Sequence, residues 1–229
     1  MLIPLIVMGL GLIFINGCTK DDNEIEKGRV SDIDGNVYST VTIGTQEWMV
    51  ENLKTTKYND GNSIPLVTGN ADWVALTTPG YCLYDNEITN KTPYGVLYNW
   101  YAVNTGKLCP TGWHVPTDAE WTTLTDYAGG KDVAGGKLKS TRTVPDAHPR
   151  WESPNSGATD EYGFSALPGG YRDSNGVFRG LGGGGNWWSA TEGGAENAWT
   201  RSMAYNYRDA GGFYLVYKKD GMSVRCVKN

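Results

Sequence analysis

The chain of 229 residues carries 20 basic and 25 acidic side chains, which gives a formal net charge of −5. Its 39% apolar and 20% charged residues can bury a core, and this excludes a disordered tail. An isoelectric point near 5.1 argues against nucleic-acid binding, because that function needs a basic face. The 31 Gly, 9 Trp and 14 Tyr indicate a loop-rich fold, and two His leave little room for a metal cage.

The chain opens with an apolar segment that is typical of an export signal. Residues 2–15 are too few for a membrane span of about 20 residues, and Asn16-Gly17-Cys18 resembles the end of a bacterial lipoprotein signal. We expect a signal peptide over 1–17, a lipidated Cys18, and a flexible tether over 18–28. The alternative is an uncleaved anchor helix, because no Lys or Arg precedes the apolar run and Asn16 is atypical.

Short strands and turns are predicted from Arg29 onward. The turn Asp34-Gly35-Asn36 lies between apolar residues and predicts a hairpin, and a second glycine-centred turn follows at Gly44. Residues 94–103 repeat apolar side chains with helical period, which predicts a helix there.

A second helix is predicted after Thr117. Thr117 and Glu120 form the sequence pattern of a capping box, and Trp121 and Leu124 then repeat with helical period until Gly129-Gly130 ends the helix. Little periodicity follows until about residue 160. Glycines 182–185 predict a flexible loop, and 221–227 a final strand. Two short helices followed by many short strands indicate one α+β domain over 29–229.

Three cysteines remain if Cys18 carries lipid. Cys109 and Cys226 both border predicted strands, and a disulfide between them would tie the C-terminal strand to the middle of the chain. Such a long loop would contribute roughly 4–5 kcal/mol in the chain-entropy description. Cys82 would then be a free thiol. A metal site is the competing interpretation, but no Cys-x-x-Cys spacing occurs.

Motifs for catalysis or phosphate binding are weak in this sequence. No Gly-Lys-Ser/Thr follows the glycine run, and neither Gly-x-Ser-x-Gly nor His-Glu-x-x-His occurs. His114 is expected to be a structural hydrogen-bonding residue, and His148 lies in a proline-rich loop. Asp160 and Glu161 could act as an acid/base pair, although adjacent acids in a polar loop are usually solvated. No catalytic residue, metal ligand or cofactor is assigned.

The adjacent Trp187 and Trp188 point to opposite faces of a predicted strand. In a sheet covered on one side, at most one of them would be buried. We therefore name Trp188 as a candidate ligand-stacking residue. Trp48, Trp100, Trp113 and Trp121 lie in patterned segments and are expected in the core.

Eight short segments together resemble the Fibrobacter succinogenes major paralogous domain family. They are 32–38 (DIDGNVY), 43–49 (IGTQEWM), 51–54 (ENLK), 94–100 (YGVLYNW), 109–116 (CPTGWHVP), 163–170 (GFSALPGG), 188–192 (WSATE) and 223–226 (SVRC). Their order is preserved over residues 29–228. The resemblance implies a surface lipoprotein domain of Bacteroidetes-type bacteria with a C-type-lectin-like fold. The Lys-Asp-Asp after Cys18 resembles the export tag that directs such lipoproteins to the outer face of the outer membrane.

The same resemblance extends to enzymes of the formylglycine-generating group and to calcium-dependent lectins. The enzymes need a reactive cysteine pair whose spacing is absent here, and the lectin signatures Glu-Pro-Asn and Trp-Asn-Asp are also absent. Neither activity is therefore transferred, since a fold alone does not supply a function.

The segment from Trp199 to Tyr217 has the composition of a recognition surface. Tyrosine offers a large contact area at low entropic cost, and it is mixed here with small and charged residues. Every residue from Ala204 to Tyr217 can be reached from an Asn codon by changing its two adenines, as in proteins that retroelements diversify. The candidate ligand-binding residues are Trp188, Trp199, Arg201, Tyr205, Tyr207, Arg208, Asp209, Phe213, Tyr214 and Tyr217.

These features favour a non-enzymatic, surface-displayed binding module for a protein or glycan ligand, possessing a membrane anchor and no nucleic-acid partner. The codon pattern is consistent with the variable protein of a diversity-generating retroelement, and the alternative is an ordinary loop made of common residue types. The alternatives are an enzyme related to the formylglycine-generating group and a structural adhesion component.

Overall fold

The computed structural model describes residues 27–211 and 215–229. The predicted signal peptide 1–17, the lipidation site Cys18 and most of the 18–28 tether lie outside these residues, as do Phe213 and Tyr214. The first strand begins at Lys27, two residues before the predicted boundary at 29, and its residues pair with the second strand.

Twelve short strands and five short helices lie in the described residues. The strands are β1 (Lys27–Ser31), β2 (Val37–Ile43), β3 (Gln46–Met49), β4 (Tyr81–Cys82), β5 (Leu97–Tyr98), β6 (Trp113–His114), β7 (Gly169–Arg172), β8 (Phe178–Leu181), β9 (Gly184–Glu192), β10 (Asn197–Ala204), β11 (Leu215–Tyr217) and β12 (Val227–Lys228). The α-helices are α1 (Asn70–Val74), α2 (Lys91–Tyr94), α3 (Trp100–Val103), α4 (Asp118–Tyr127) and α5 (Lys131–Leu138).

The strands form two five-stranded sheets and one two-stranded sheet. The first sheet has the order β1-β2-β3-β12-β6, so it joins the first and last strands of the domain. The second has the order β11-β10-β9-β7-β8, and β4 pairs with β5. All pairs are antiparallel except β7 with β9. This confirms a mixed domain of mostly antiparallel strands with few short helices.

The helix predicted after Thr117 is present as α4. The Thr117 hydroxyl accepts a hydrogen bond from the Glu120 amide, and the Glu120 carboxylate accepts one from the Thr117 amide, which completes the capping box. The helix buries Trp121 and Leu124 against the core. Gly129, with φ of +99°, follows its end, as the sequence indicates.

The prediction of one continuous helix over 94–103 is wrong for residues 95–99. Helix α2 ends at Tyr94, and Gly95 has φ of +82° and packs so closely that a Cβ there would lie 2.8 Å from the Leu53 carbonyl oxygen. Residues of β5 then pair with β4, and only Trp100–Val103 is helical again. Pairing with a distant strand therefore overrides the local helical period.

Three other sequence expectations are also corrected. Helix α5 was missed, because its central Gly135 and Gly136 give it no apolar period. Glycines 182–185 are not a long loop: the last two begin β9, and the first two make a tight turn after β8. Only β12 is regular strand in the final segment, since residues 221–223 instead form single bridges to three different parts of the domain.

Tryptophans fill the core between the sheets and helices. Trp48, Trp121 and Trp187 lie in one cluster, and the ring centroids of Trp48 and Trp121 are 4.8 Å apart. The four tryptophans expected in the core are all buried. The predicted disulfide between Cys109 and Cys226 is confirmed, and Cys82 is a buried free thiol, as expected.

Candidate functional site

Both faces of β9 are covered, and this removes Trp188 from the candidate surface. Trp187 and Trp188 are each fully buried. The Trp187 Nε1–H donates to Asn52 Oδ1 at 2.8 Å, and the Trp188 Nε1–H donates to the Tyr98 carbonyl at 2.7 Å. The expectation of a sheet covered on one side is wrong, and a fully buried Trp188 cannot stack on a ligand.

Arg201 also lies inside the domain, although it was predicted on the ligand-binding face. Its side chain is 1% exposed and forms an ion pair with Asp118. It also donates to the Asp118 carbonyl at 3.0 Å and to Thr122 Oγ1 at 2.9 Å. These bonds tie β10 to α4, so Arg201 has a structural role.

The remaining candidates lie at two ends of β10. Trp199 is half-buried within the strand. Tyr217 pairs with Asn197 at one end, and Ala204 precedes the other candidates at the opposite end, roughly 23 Å away along the strand. Tyr217 is 49% exposed and lines an open cavity of about 500 Å³ together with Tyr101, Asn175 and Glu196. The predicted surface is therefore divided.

A continuous segment that contains four of the candidates follows Ala204. We call the residues Tyr205, Asn206, Tyr207, Arg208 and Asp209 the 205–209 segment. Tyr207 is 60% exposed, Asn206 and Arg208 are exposed, and the two end residues are half-buried. An aromatic ring, an amide and a guanidinium therefore face solvent side by side.

The buried Lys139 holds this segment by its main chain. The Lys139 Nζ donates to the carbonyls of Ala204 at 2.9 Å and Tyr207 at 2.8 Å, and it lies 5.3 Å from the centroid of the Trp151 ring. Burial lowers the pKa of the Lys139 ammonium to about 8, and the nearby Asp209 carboxylate acts in the opposite direction. The ammonium thus donates to a carbonyl in the middle of the segment and to the Ala204 carbonyl, which also accepts a hydrogen bond from the Tyr207 amide at 3.4 Å.

Further main-chain hydrogen bonds fix the segment along its length, and each has its partner outside the segment. They run from Tyr205 N to Gly183 O (3.0 Å), from Ser156 N to Tyr205 O (2.7 Å), from Gly136 N to Arg208 O (2.8 Å) and, just beyond, from Ala210 N to Lys131 O (2.8 Å).

Glycines give the segment room to approach α5. A Cβ on Gly135 would lie 1.8 Å from the Asp209 carbonyl oxygen, which is closer than any real contact. A Cβ on Gly136 would lie 2.5 Å from the carbonyl oxygen of Gly157, which itself packs under Arg208. The glycine pair that hid α5 from sequence reasoning is required by this close approach.

Sequence reasoning found the exposed side chains of this site and missed the residues that hold them. Lys139 was not singled out from the sequence, because lysine is almost never fully buried. The one available signal was the Gly135-Gly136 pair three residues before it, since glycines inside a helix often mark a close approach of backbone.

The other titratable residues considered from the sequence have local partners. The His114 imidazole contacts the Glu120 carboxylate at 2.8 Å, and the His148 ring contacts the Tyr94 hydroxyl at 2.8 Å. Asp160 accepts a hydrogen bond from the Ser165 amide, whereas Glu161 pairs with Lys137 at 3.3 Å. The two adjacent acids thus serve different partners.

The described ranges contain neither a cluster of metal ligands nor a helix that could span a membrane. Over residues 27–211 and 215–229, no three side chains of His, Cys, Asp or Glu gather in a way that could hold a metal ion. In the same ranges no helix has both the length and the apolar character needed to cross a membrane.

Comparison with known families gives one match. Residues 41–228 match the family described as the Fibrobacter succinogenes major domain, which covers nearly all of the described residues. Neither a curated protein nor a solved structure matches the chain.

Proposed function

The chain belongs to the Fibrobacter succinogenes major domain family, and from this premise we propose that it is a non-enzymatic binding module displayed on the bacterial surface. Its ligand, a protein or a glycan, is recognised through the 205–209 segment. One observation carries the proposal: Tyr207 is 60% exposed beside the exposed Asn206 and Arg208, in a domain that buries eight of its nine tryptophans. Tyr and Arg are the residue types that dominate binding energy at interfaces.

A C-type-lectin-like fold is part of this proposal. It is supported by the resemblance of the motifs, and by the combination of short helices, short antiparallel strands and long connections. A crystal structure of the domain tests it, because superposition on a solved C-type-lectin-like domain must then align both five-stranded sheets. A different strand order would contradict the fold.

Anchoring through Cys18 to the outer membrane, facing the cell exterior, is the second part of the proposal. It is supported by the apolar segment 2–15 and the Asn16-Gly17-Cys18 sequence. Cys18→Ala should move the protein from the membrane fraction to the soluble fraction. Retention in the membrane with an intact N-terminus would instead indicate an uncleaved anchor helix.

Diversification by a retroelement is the third part. The fourteen residues 204–217 all fall in the set reachable from an Asn codon through its two adenines. The gene itself is the test: a nearly identical template repeat beside a reverse transcriptase, differing at adenines, is expected. Its absence removes diversification and leaves the binding proposal untouched.

Binding is tested with the chain lacking its first 18 residues, screened on glycan and cell-surface protein arrays. For the ligand found, the triple variant Tyr205→Ala, Tyr207→Ala and Arg208→Ala should weaken affinity at least about tenfold, as expected for interface hot spots. Tyr127→Ala, which removes a tyrosine that is 56% exposed on α4, is the matched control. Unchanged affinity of the triple variant would contradict the proposal, and loss through Tyr217→Ala alone would move the site to the opposite end of β10.

A further inference from the structure

We infer that the conformation of the 205–209 segment is set entirely by residues outside it, so that all five of its side chains are free to differ while the next residue, Ala210, is not. The inference rests on the proposed function for the use of the segment. It makes these five positions the specificity-determining ones and makes Lys139 their positioning residue.

The five side chains of the 205–209 segment do not fix its main-chain conformation. Over residues 27–211 and 215–229, none of them forms a hydrogen bond or an ion pair. Asp209 acts on Lys139 by attraction over a longer distance, and Tyr205 packs in part against the core. The backbone bonds described above remain with any side chain on these Cα atoms other than proline, which lacks the amide hydrogen that Tyr205 donates to Gly183.

The groups that fix the main chain of the segment come from four separate parts of the domain. They are the buried ammonium of Lys139, the helix α5, the turn before β9, and the loop that contains Ser156 and Gly157. Because the ammonium bonds to two carbonyls three residues apart, it fixes both the entry and the middle of the segment. Removing it would leave the Tyr207 carbonyl without its donor in the interior, and the Ala204 carbonyl with only the 3.4 Å bond from the Tyr207 amide, which is costly.

Tolerance to substitution ends at Ala210, the residue that follows the segment. Ala210 is 1% exposed and packs in the same core cluster as Trp151 and Trp187, and its amide is bonded to Lys131. A larger or polar side chain there has no space and no partner. Ala210 fits the codon pattern as well as its neighbours do, so the sequence alone does not distinguish it from them. The structure separates this buried position from the five positions before it.

The first experiment compares substitution inside and outside the boundary, with no ligand present. Variants that replace all five residues of the segment at once, using residues other than proline that are reachable from an Asn codon, should keep melting temperatures within about 5 °C of the parent, because three of the positions are exposed and two are only half-buried. Ala210→Asn and Ala210→Tyr should lower it by at least about 10 °C or prevent folding. Five-residue variants that melt as early as the Ala210 variants would overturn the inference.

The second experiment measures amide hydrogen exchange, which reports on the segment separately from the rest of the domain. Lys139→Met should speed exchange at Tyr205 and Ala210 at least about tenfold while amides of α4 keep their protection, and Lys139→Arg should restore part of it. The five-residue variants should exchange like the parent. No change at the segment, or an equal rise everywhere, would overturn the role of Lys139.

A second variant protects this test from a failure of Lys139→Met to fold. Gly135→Ala displaces the same main chain without removing a charge, and Gly194→Ala is its control, because nothing lies within 4 Å of a Cβ on Gly194. Faster exchange at Tyr205 and Ala210 is expected in the first variant only. An unaffected segment in Gly135→Ala overturns the inference. Since no ligand is used, this result is independent of whether the binding proposal holds.

Discussion

Buried cations are the residues that make a loop-rich interior possible here. Arg172 is fully buried and donates to the carbonyls of Val67, Thr68 and Gly176, and its guanidinium stacks 4.6 Å from the Trp73 ring centroid. Irregular backbone leaves carbonyls that no strand or helix pairs, and they must find donors. Arginine and lysine supply several donors each, which is why they occur inside this domain.

The same residues show where prediction from sequence stops at this scale. The sequence predicted the Cys109–Cys226 pair and the burial of Trp48, Trp100, Trp113 and Trp121, because strand borders and apolar patterning mark them. Arg201 and Lys139 were not, since a charged side chain is buried only when distant groups supply its partners. Their partners are 65 or more residues away in the chain.

Asp220 gives a pH-dependent prediction. Burial, helped by the nearby Asp173 carboxylate, raises the pKa of its carboxyl from 3.8 to about 7. The folded state therefore holds this proton more tightly than the unfolded state, so stability is greatest below about pH 4 and falls as the pH rises through 7. A shift of this size corresponds to about 4 kcal/mol at most. Asp220→Asn should remove this fall.

Chemical unfolding of both proteins between pH 4 and 8 measures the difference. Asn keeps an acceptor for the Ser174 amide. At pH 4 the variant should therefore unfold at about the same denaturant concentration as the parent. At pH 8 it should unfold at a higher concentration than the parent. Parallel curves for the two proteins would show that Asp220 does not titrate in this range.

Among the secondary-structure elements, α4 is the one that local sequence specifies. Its cap, its apolar period and its glycine stop all agree, and all are present. Helix α5 and the 94–103 region could not be predicted in the same way. Gly135 and Gly136 weaken α5 locally and serve the close approach of another loop, and β5 exists because β4 lies beside it.

Thr117→Ala should therefore destabilise the domain by about 1 kcal/mol, because the Glu120 amide loses its acceptor. Thr123→Ala, an exposed change within the same helix, is the control and should shift stability by less than about 0.5 kcal/mol. Denaturant midpoints of the two variants decide. Equal midpoints would mean that the capping box contributes nothing to the folded domain.

At the scale of the whole molecule, the order of strands in the sheets could not be predicted from local patterns. Strand β12 lies between β3 and β6, and residues 221–223 bridge to Arg172, Tyr98 and Trp187. The final segment thus touches every sheet. The coarser class, a mixed domain of mostly antiparallel strands with few short helices, was predictable from the succession of short helices and short strands.

The disulfide fastens this final segment, and its loss should be felt by the entire domain. It joins residues 117 apart in sequence, so replacing both Cys109 and Cys226 by Ala should cost about 2–5 kcal/mol. Thermal unfolding with and without reductant measures this. The parent should lose stability in reductant and the double variant should not. If reductant leaves the parent unchanged, the bond does not stabilise the fold.

The position of the disulfide also governs how the domain would respond to pulling. If a surface-anchored module is loaded through Tyr207, tension runs from the N-terminal attachment to that residue. Between Cys109 and Tyr207 the polypeptide is about 100 residues long, and when unfolded it could extend to roughly 300 Å. The covalent bridge to Cys226 offers a second route of about 20 residues, which limits this stretch to roughly 70 Å. The cross-link is thus a mechanical shortcut that keeps the ligand-bearing end near Cys109 under load.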